Sequence, residues 1–521
     1  MSVADAARLL ESTRPRVTLR SYFEKPFDSA IAAARTCYSS RIISPDEITE
    51  KQRVAIGATT FNGGHHTVFQ HAHFEFGLEN VSRHFVWNFL HGHPFYNSEQ
   101  QSQRYVRLDK VQAFVPPLPD HAHETYVRAI ERAWESYRTL GQKLAPKTRA
   151  VLHDVWKITD QTADKRRQRI ERQVDKKAIE VARYVLPIAT FTAMVHTISG
   201  VVLHRLHRMS NSGDTPYETA LIVNQMVERV KEIDPQFFER IGGGPLPEEV
   251  LPEHRILNEQ DASGKSRARD EFDGQLGERT SRLLAATPDA ERVLGTSLRA
   301  VLGFSESELS DERAIDELLN PARNRYRLET LNVGVHSPMM RALQHVTYTF
   351  LKKLSHTADS QDQRHRMVPG SRPLLAATSC PEPDYLVPML VRGNAEVEDF
   401  YHQAMQDAWQ ARNQLLDMGV APEFAAYVLP NATAVRLVET GSLLHLLHKW
   451  TMRTCFNAQE EIYFASMDEL EQVRAVHPRL ARFLGPPCHL RHGIAYPVCT
   501  EGSHFCGVRV WDSFPNVERK L

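Results

Sequence analysis

The chain has 521 residues, and its 63 Lys and Arg residues nearly balance its 64 Asp and Glu residues. This length exceeds one ordinary hydrophobic core, so we expect two domains. The balanced charge argues against nucleic acid or a membrane surface as a partner. No apolar run approaches the ~18 residues of a membrane span, and the first residues carry no apolar signal-peptide core. The sequence therefore predicts a cytoplasmic protein that binds anionic ligands through local clusters of charge.

Hydrophobic periodicity predicts alternating strands and helices along the first part of the chain. A strand and then a helix are expected over residues 18–40, a helix over Ile48–Phe61 and a half-buried strand over His73–Leu78. Three further helices are expected over His121–Leu144, Ala163–Tyr184 and Thr190–Met209, the last of them buried. The basic run 164–177 could bind phosphates, although its interspersed acids favour a solvated helix face.

The segment Val81–Asp109 predicts an apolar helix that delivers a binding loop. Gly92 and Pro94 end the apolar run, and residues 98–104 bring hydroxyl, amide, carboxylate and guanidinium groups close together. This density of polar groups after an apolar helix indicates a ligand-binding loop.

The second part of the chain repeats the first after a segment rich in Gly, Pro and charge. Residues 335–366 parallel residues 65–93, and residues 424–462 parallel residues 180–219. A repeat of this length indicates two copies of one domain. We therefore predict four parts: a first repeat over 1–240, a linker over 241–277, a second repeat over 278–480 and a C-terminal Cys/His-rich tail over 481–521.

Several motifs resemble those of the flavin-dependent thymidylate synthases. They are Arg364-His365-Arg366, the ARYVLP segment that contains Arg183, the MRTCFNAQEEI segment that contains Arg453, HHTVFQH at 65–71 and AARTCYSS around Cys37. Their order and spacing match the family in two copies. The resemblance implies an α+β fold: two thymidylate synthase-like domains, each a mixed sheet with long helices, followed by a small appendage.

The two copies depart from the family in complementary ways. The first keeps the Ser102-Gln103-Arg104-Tyr105 loop but has His91-Gly92-His93 in place of Arg-His-Arg. The second keeps Arg-His-Arg but has lost the serine-arginine loop, and Ala426 stands where the first has Arg183. Arg453 is aligned with Ser210. Because the family's sites lie between subunits, the resemblance implies one composite site between the repeats, and a homodimer that forms a pseudo-tetramer.

The resemblance also assigns roles to individual residues. Arginine forks suit a nucleotide phosphate because the guanidinium is always charged and binds two oxygens, and the amide of Gln361 suits a uracil edge. The catalytic residues are predicted to be Arg104, Gln361 and Arg364. The substrate-binding residues are predicted to be Glu99, Gln101, Ser102, Gln103, Arg104, Arg183, Gln361 and Arg453. The cofactor-binding residues are predicted to be Cys37, His65, Thr67, Arg364, His365, Arg366 and Asn457.

The implied reaction is methylation of dUMP at C5 to give dTMP, with methylenetetrahydrofolate as carbon donor, reduced FAD as hydride donor and NADPH as reductant. The family's flavin contacts on the late helix are replaced by Ser199 and Val201 in the first repeat, and by Ser442 and Leu444 in the second. Two alternatives therefore stay open: a flavin enzyme for another pyrimidine, and a nucleotide-binding protein without catalysis.

The tail concentrates thiols and imidazoles. Cys488, His492, Cys499 and Cys506 could form a tetrahedral structural zinc site, although their spacing does not match paired C-x2-C motifs. The alternative is three buried or free thiols in a β-rich appendage.

Overall fold

A computed structural model describes residues 13–104, 108, 110–259 and 264–521; Tyr105 lies outside this part. Eight strands are described: β1 Arg16–Tyr22, β2 His73–Ser82, β3 Asn97–Gln100, β4 Phe191–Ser199, β5 Ser281–Ala286, β6 Thr347–Ser355, β7 Gly370–Ser371 and β8 Ala434–Ser442. They form one sheet in each repeat, in the equivalent orders β1-β2-β4-β3 and β5-β6-β8-β7. The prediction of an α+β fold in two copies is confirmed.

All described strand pairs are antiparallel, so the prediction of a mixed sheet is wrong in this detail. The central pair of the first sheet runs from His73 opposite Ser199 to Ser82 opposite Phe191. Each central strand leads directly into a helix. Ser82 caps the helix after β2 by accepting from the N–H of Phe85 at 2.8 Å, as hydroxyl side chains commonly do.

The helices recur in a similar order in the two repeats. The first repeat contains Pro26–Thr36, Glu50–Asn62, Arg83–His91, Asp120–Trp156, Asp164–Ala182, Gly200–Arg208, Pro216–Lys231 and Gln236–Glu239. The second contains Ala290–Leu302, Asp311–Leu319, His356–Asp362, Leu375–Thr378, Ala395–Asp417, Pro422–Ala426, Leu443–Arg453, Glu460–Val476 and Pro478–Ala481. Helices Pro252–Leu257 and Gly264–Leu276 lie between the repeats, and Pro487–Arg491 lies in the tail. None of the described helices is both long and apolar enough to cross a membrane.

The buried helix predicted over Thr190–Met209 is wrong in its first half, which is strand β4. A helix begins only at Gly200. The strand residues Thr192, Val195 and Ile198 are β-branched, which favours a pleated sheet, and β4 lies between β2 and β3. A continuous apolar run can be a central strand or a buried helix, so periodicity alone does not separate the two.

The repeats pack against each other through their equivalent Tyr-Val-Leu-Pro segments. The N–H of Ile188 donates to the carbonyl of Leu429 at 2.8 Å, and the N–H of Asn431 donates to the carbonyl of Leu186 at 2.8 Å. Tyr184 and Tyr427 belong to one hydrophobic core that both repeats share. The repeats therefore meet in a reciprocal interface within a single chain.

Candidate functional site

A cavity of about 160 Å³ lies between the two repeats. Both repeats line it, and its wall is made almost entirely of polar and charged side chains. The lining residues are Arg83, Gln100, Gln101, Ser102, Gln103, Arg104, Arg183, Ser360, Gln361, Arg364 and Arg453. We call it the arginine cavity.

The side chains that line the arginine cavity lie at or just beyond the ends of helices and strands. Ser102 and Arg104 lie on the loop that follows β3, which pairs with β4. Arg183 is the residue after the helix Asp164–Ala182. From the second repeat, Gln361 is near the end of the helix His356–Asp362, and Arg453 is the last residue of Leu443–Arg453. Helix ends carry long polar side chains out of the packed core, which explains why both repeats contribute at this seam.

Arg104 connects the repeats directly. Its Nε donates to Glu180 Oε1 at 2.6 Å, its Nη1 donates to Gln361 Oε1 at 3.4 Å, and its Nη2 donates to the carbonyl of Asn457 at 3.2 Å. Glu180 is in the same repeat as Arg104, whereas Gln361 and Asn457 are in the other. The guanidinium is thus oriented before any ligand arrives.

Gln459 lies behind the cavity wall and ties it together. Its Oε1 accepts from Arg183 Nη2 at 3.1 Å and from the side-chain amide of Gln361. Its Nε2 donates to the hydroxyl of Tyr184 at 2.5 Å. The sequence did not mark Gln459, Glu180, Arg83 or Ser360 as site residues. The only available signal for Gln459 was its place in the AQEEI stretch.

The arginine cavity carries more positive than negative charge. Five arginines and no carboxylate are among its described lining residues. The nearby Glu180 already forms ion pairs with Arg104 and Lys177. Burial, together with Arg183 and Arg364, lowers the pKa of Arg83 to about 9. The buried Nε of Arg183 has no partner in the described structure. A bound anion would offset the repulsion among these arginines and would accept hydrogen bonds from donors such as the Nε of Arg183.

Arg453 is held by the Arg-His-Arg motif. Its Nε donates to His365 Nε2 at 2.9 Å, and its Nη2 donates to the carbonyl of Gln361 at 3.1 Å. Burial and the charge of Arg453 lower the pKa of His365 well below its usual range. A neutral imidazole can accept the hydrogen bond, so His365 orients Arg453.

A second cavity, of about 360 Å³, adjoins the first through Arg364 and Gln100. Glu99 and Arg366 line it together with Tyr96 and Asn97. The Arg366 guanidinium lies 5.0 Å from the ring centre of Tyr96, and its Nη2 donates to Asn97 Oδ1 at 3.3 Å. Because Tyr96 is only 7% exposed, this cavity mainly joins polar side chains of the first repeat to the cationic Arg364 and Arg366 of the second.

The remaining predicted cofactor residues lie elsewhere. Asn457 contributes its carbonyl to Arg104 and lines a cleft of about 1270 Å³ between the helices Asp120–Trp156 and Asp164–Ala182 and the tail. Cys37 is exposed, and neither it nor His65 nor Thr67 lines a cavity described above. Their roles stay predictions.

The equivalent position on the other side of the interface is filled by protein. Glu99 of β3 pairs with Val195 of β4, and Ser371 of β7 pairs with the equivalent Val438 of β8. Glu99 and Ser371 are therefore equivalent positions. Five residues further along each chain segment, Ala376 stands at the position of Arg104. The N–H groups of Leu375 and Ala376 donate to the Asp214 carboxylate at 2.7 and 2.9 Å. The backbone N–H donors of this loop in the second repeat are thus already hydrogen-bonded to the Asp214 carboxylate.

The ion pair between Arg372 and Asp359 also belongs to this second position. Arg372 donates two hydrogen bonds to Asp359, at 2.6 and 2.8 Å, and Trp87 Nε1 donates to Asp359 at 2.7 Å. All three side chains are almost fully buried. Arg372 is thus fully engaged by Asp359, whereas the arginine cavity brings five arginines together.

The tail differs from both sequence-based interpretations. No strand occurs in residues 481–521, all of which the structure describes, so the β-rich appendage is wrong. Cys488, Cys499 and Cys506 line one small cavity, and His492 is not among its lining residues. The ring centre of His492 lies 6.5 Å from that of Trp511. In the described part of the chain, no group of three or more His, Cys, Asp or Glu side chains could hold a metal ion as it stands. The zinc site predicted at Cys488, His492, Cys499 and Cys506 is therefore not formed.

Comparisons with known proteins agree with the repeat structure. The profile of the family described as "Thymidylate synthase complementing protein" matches twice, at residues 18–236 and 282–479. The chain is 27% identical to the flavin-dependent thymidylate synthase of Clostridium tetani over 245 residues, which are 45% of this chain and 92% of that protein. It is 28% identical to the Geobacter sulfurreducens enzyme over 43% of this chain and 92% of that protein.

A third relative is the flavin-dependent thymidylate synthase of Sulfolobus acidocaldarius, 30% identical over 217 residues, which are 40% of this chain and 77% of that protein. Each relative thus spans less than half of this chain, as expected if one relative corresponds to one repeat. With two matched segments and two equivalent sheets, the chain belongs to the thymidylate synthase complementing protein family, that of the flavin-dependent thymidylate synthases.

Proposed function

We propose that this protein methylates a uridine nucleotide at C5, converting dUMP to dTMP, at one composite site between its repeats. The observation that carries the proposal is the arginine cavity, in which five arginines from both repeats surround a space of about 160 Å³. Family membership supplies the reaction class.

The nucleotide phosphate binds among Arg104, Arg183 and Arg453. Arg104 and Arg453 are already oriented, by Glu180 and His365 respectively, so little side-chain entropy is lost when the anion arrives. Ser102 lines the cavity and adds a hydroxyl donor. The Gln361 side chain has both amide donors and an acceptor, which suits a uracil edge.

The adjoining cavity fits the flavin ring system. Arg364 and Arg366 bring positive charge from the second repeat to this cavity, which favours an anionic reduced ring. FAD supplies a hydride when it is bound. The chain's own part is to hold the pyrimidine edge and the flavin in adjacent cavities that share Arg364 and Gln100.

Methylenetetrahydrofolate and NADPH act as co-substrates. The large cleft near Arg104 has the room and the chemistry for an extended anion, since Trp156, Arg172, Lys176 and Lys177 line it.

Two chains assemble as a homodimer that reproduces a four-domain arrangement. The domain boundaries at 240, 277 and 480 belong to the same proposal.

Two measurements test the proposal. The purified protein should be yellow, or should become thermally more stable when FAD is added, because a ligand that binds only the folded state stabilises it. With FAD, NADPH and methylenetetrahydrofolate present, tritium should be released from dUMP labelled at C5. Flavin binding without tritium release would point to another pyrimidine, and the absence of both would leave a nucleotide-binding protein without catalysis.

A further inference from the structure

Four of the six cysteines surround one small cavity. Cys455 follows the helix Leu443–Arg453 in the second repeat, and Cys488, Cys499 and Cys506 come from the tail. The other two, Cys37 and Cys380, do not line it. All six are free thiols. Residues far apart in the sequence therefore bring their thiols to one place.

The cavity has room for one water molecule or one ion of similar size. Its volume is about 10 Å³, close to the ~10–15 Å³ that a single water requires. Apolar side chains form much of the remaining wall, among them Phe456, Pro487 and Val510. Water competes poorly for an ion in such a setting.

We infer that Cys455, Cys488, Cys499 and Cys506 form a tetrahedral site for a divalent thiophilic metal ion, with zinc as the fitting ion. Four thiolates close the coordination sphere and leave no open position, as in structural zinc sites. As they stand, the four side chains do not form a group that could hold an ion, so binding requires the thiols to turn toward the centre of the cavity. Cys455 replaces His492 in the ligand set expected from the tail alone.

Local backbone geometry supports the arrangement. Gly507, directly after Cys506, has φ +88°, a conformation that favours glycine. A Cβ there would lie 2.9 Å from Val155 and 3.0 Å from Trp156, so the loop passes close against the long helix of the first repeat. This close approach fixes the loop that carries Cys506.

The site would fasten the tail to the wall of the arginine cavity. Asn457, two residues after Cys455, donates from Nδ2 to Glu501 at 3.0 Å and to the carbonyl of His504 at 2.8 Å. The carbonyl of Asn457 accepts from Arg104. A metal ion at Cys455 therefore stabilises the backbone that positions Arg104. This inference does not depend on the proposed reaction.

Metal analysis of the purified full-length chain tests the site. We expect about one zinc per chain after dialysis, less than about half an equivalent in Cys499→Ser and Cys455→Ser, and unchanged zinc in Cys37→Ser, Cys380→Ala and His492→Ala. Zinc lost in His492→Ala but retained in Cys455→Ser would overturn this ligand set.

A measurement on the wild-type chain covers the case in which variants do not fold. Replacement of zinc by cobalt should give intense thiolate-to-cobalt absorption and the visible bands of a tetrahedral site. Wild-type protein without metal that gains no such bands with cobalt would overturn the inference. So would an intact mass that shows disulfides among the four cysteines.

Discussion

The guanidinium of Arg104, in the first repeat, donates a 3.4 Å hydrogen bond to the side-chain oxygen of Gln361, in the second. The two residues lie 257 positions apart and line the same cavity. The two repeats of one chain therefore contribute side chains to the wall of one cavity.

Arg104→Ala and Arg453→Ala should each weaken dUMP binding by at least about tenfold, since a hydrogen bond to a charged group contributes about 1.5–3 kcal/mol. Ser210→Ala is the matched control, because Ser210 occupies the position of Arg453 in the first repeat and should leave affinity unchanged. Calorimetric titration measures the difference. Wild-type affinity in either arginine variant would contradict the phosphate assignment.

Wild-type protein should bind one dUMP per chain and not two. The equivalent position across the interface has Ala376 in place of Arg104, and Asp214 occupies the loop N–H groups. A phosphate there would meet a carboxylate and would displace buried hydrogen bonds. Titration of a known concentration of active protein gives the ratio, and two equal sites per chain would show that the second position is also functional.

Tyr184→Phe and Tyr427→Phe should separate stability from binding. Tyr427 donates to Glu218 at 2.7 Å and Tyr184 donates to Glu461, so each variant removes a donor from a buried carboxyl. Each should lower the free energy of unfolding by about 1–3 kcal/mol. Only Tyr184 also accepts from Gln459, which contacts Arg183.

Tyr184→Phe should therefore weaken dUMP binding as well, whereas Tyr427→Phe should not. Urea unfolding and calorimetric titration of the two variants provide the comparison. If the two variants change dUMP affinity equally, the contact between Tyr184 and Gln459 does not help to position Arg183 in the cavity.

Acid should destabilise the protein partly through His196. Burial, with a contribution from His93, lowers the pKa of His196 to about 3. The stability from its neutral form is complete above the unfolded value of about 6.5 and is lost as the pH falls toward the folded value. At pH 5 the loss is about 2 kcal/mol.

The test is His196→Phe, which keeps an aromatic ring beside Phe89 and Tyr96. Its free energy of unfolding should fall less than that of the wild type between pH 7 and pH 5. His336→Gln, at an exposed position, is the control and should follow the wild type. A variant as acid-sensitive as the wild type would exclude His196 as a source of the pH dependence.

The sequence predicted the two-copy α+β fold because the repeats keep the same order of strands and helices. It also grouped Ser102, Arg104, Arg183, Gln361 and Arg453, because the losses in one repeat are matched by retention in the other. The structure places these five around one cavity. Their roles in binding remain predictions.

Other features could not be predicted from sequence patterns. Strand β4 has buried apolar side chains on both faces, so its pattern also fits a buried helix. Glu180 acts through a contact with a distant segment that no local motif marks, and the AQEEI stretch that contains Gln459 does not show which residues Gln459 contacts. Cys455 was not grouped with the tail thiols because it lies 33 positions before Cys488 in the sequence, whereas the fold places both beside one cavity.

The most direct test of the composite site is a crystal structure of the protein with dUMP. The account predicts one nucleotide per chain, with its phosphate among Arg104, Arg183 and Arg453 and its pyrimidine edge at Gln361. The position beside Asp214 and Ala376 should remain closed. A nucleotide bound at that second position, or one held by residues of a single repeat, would contradict the account.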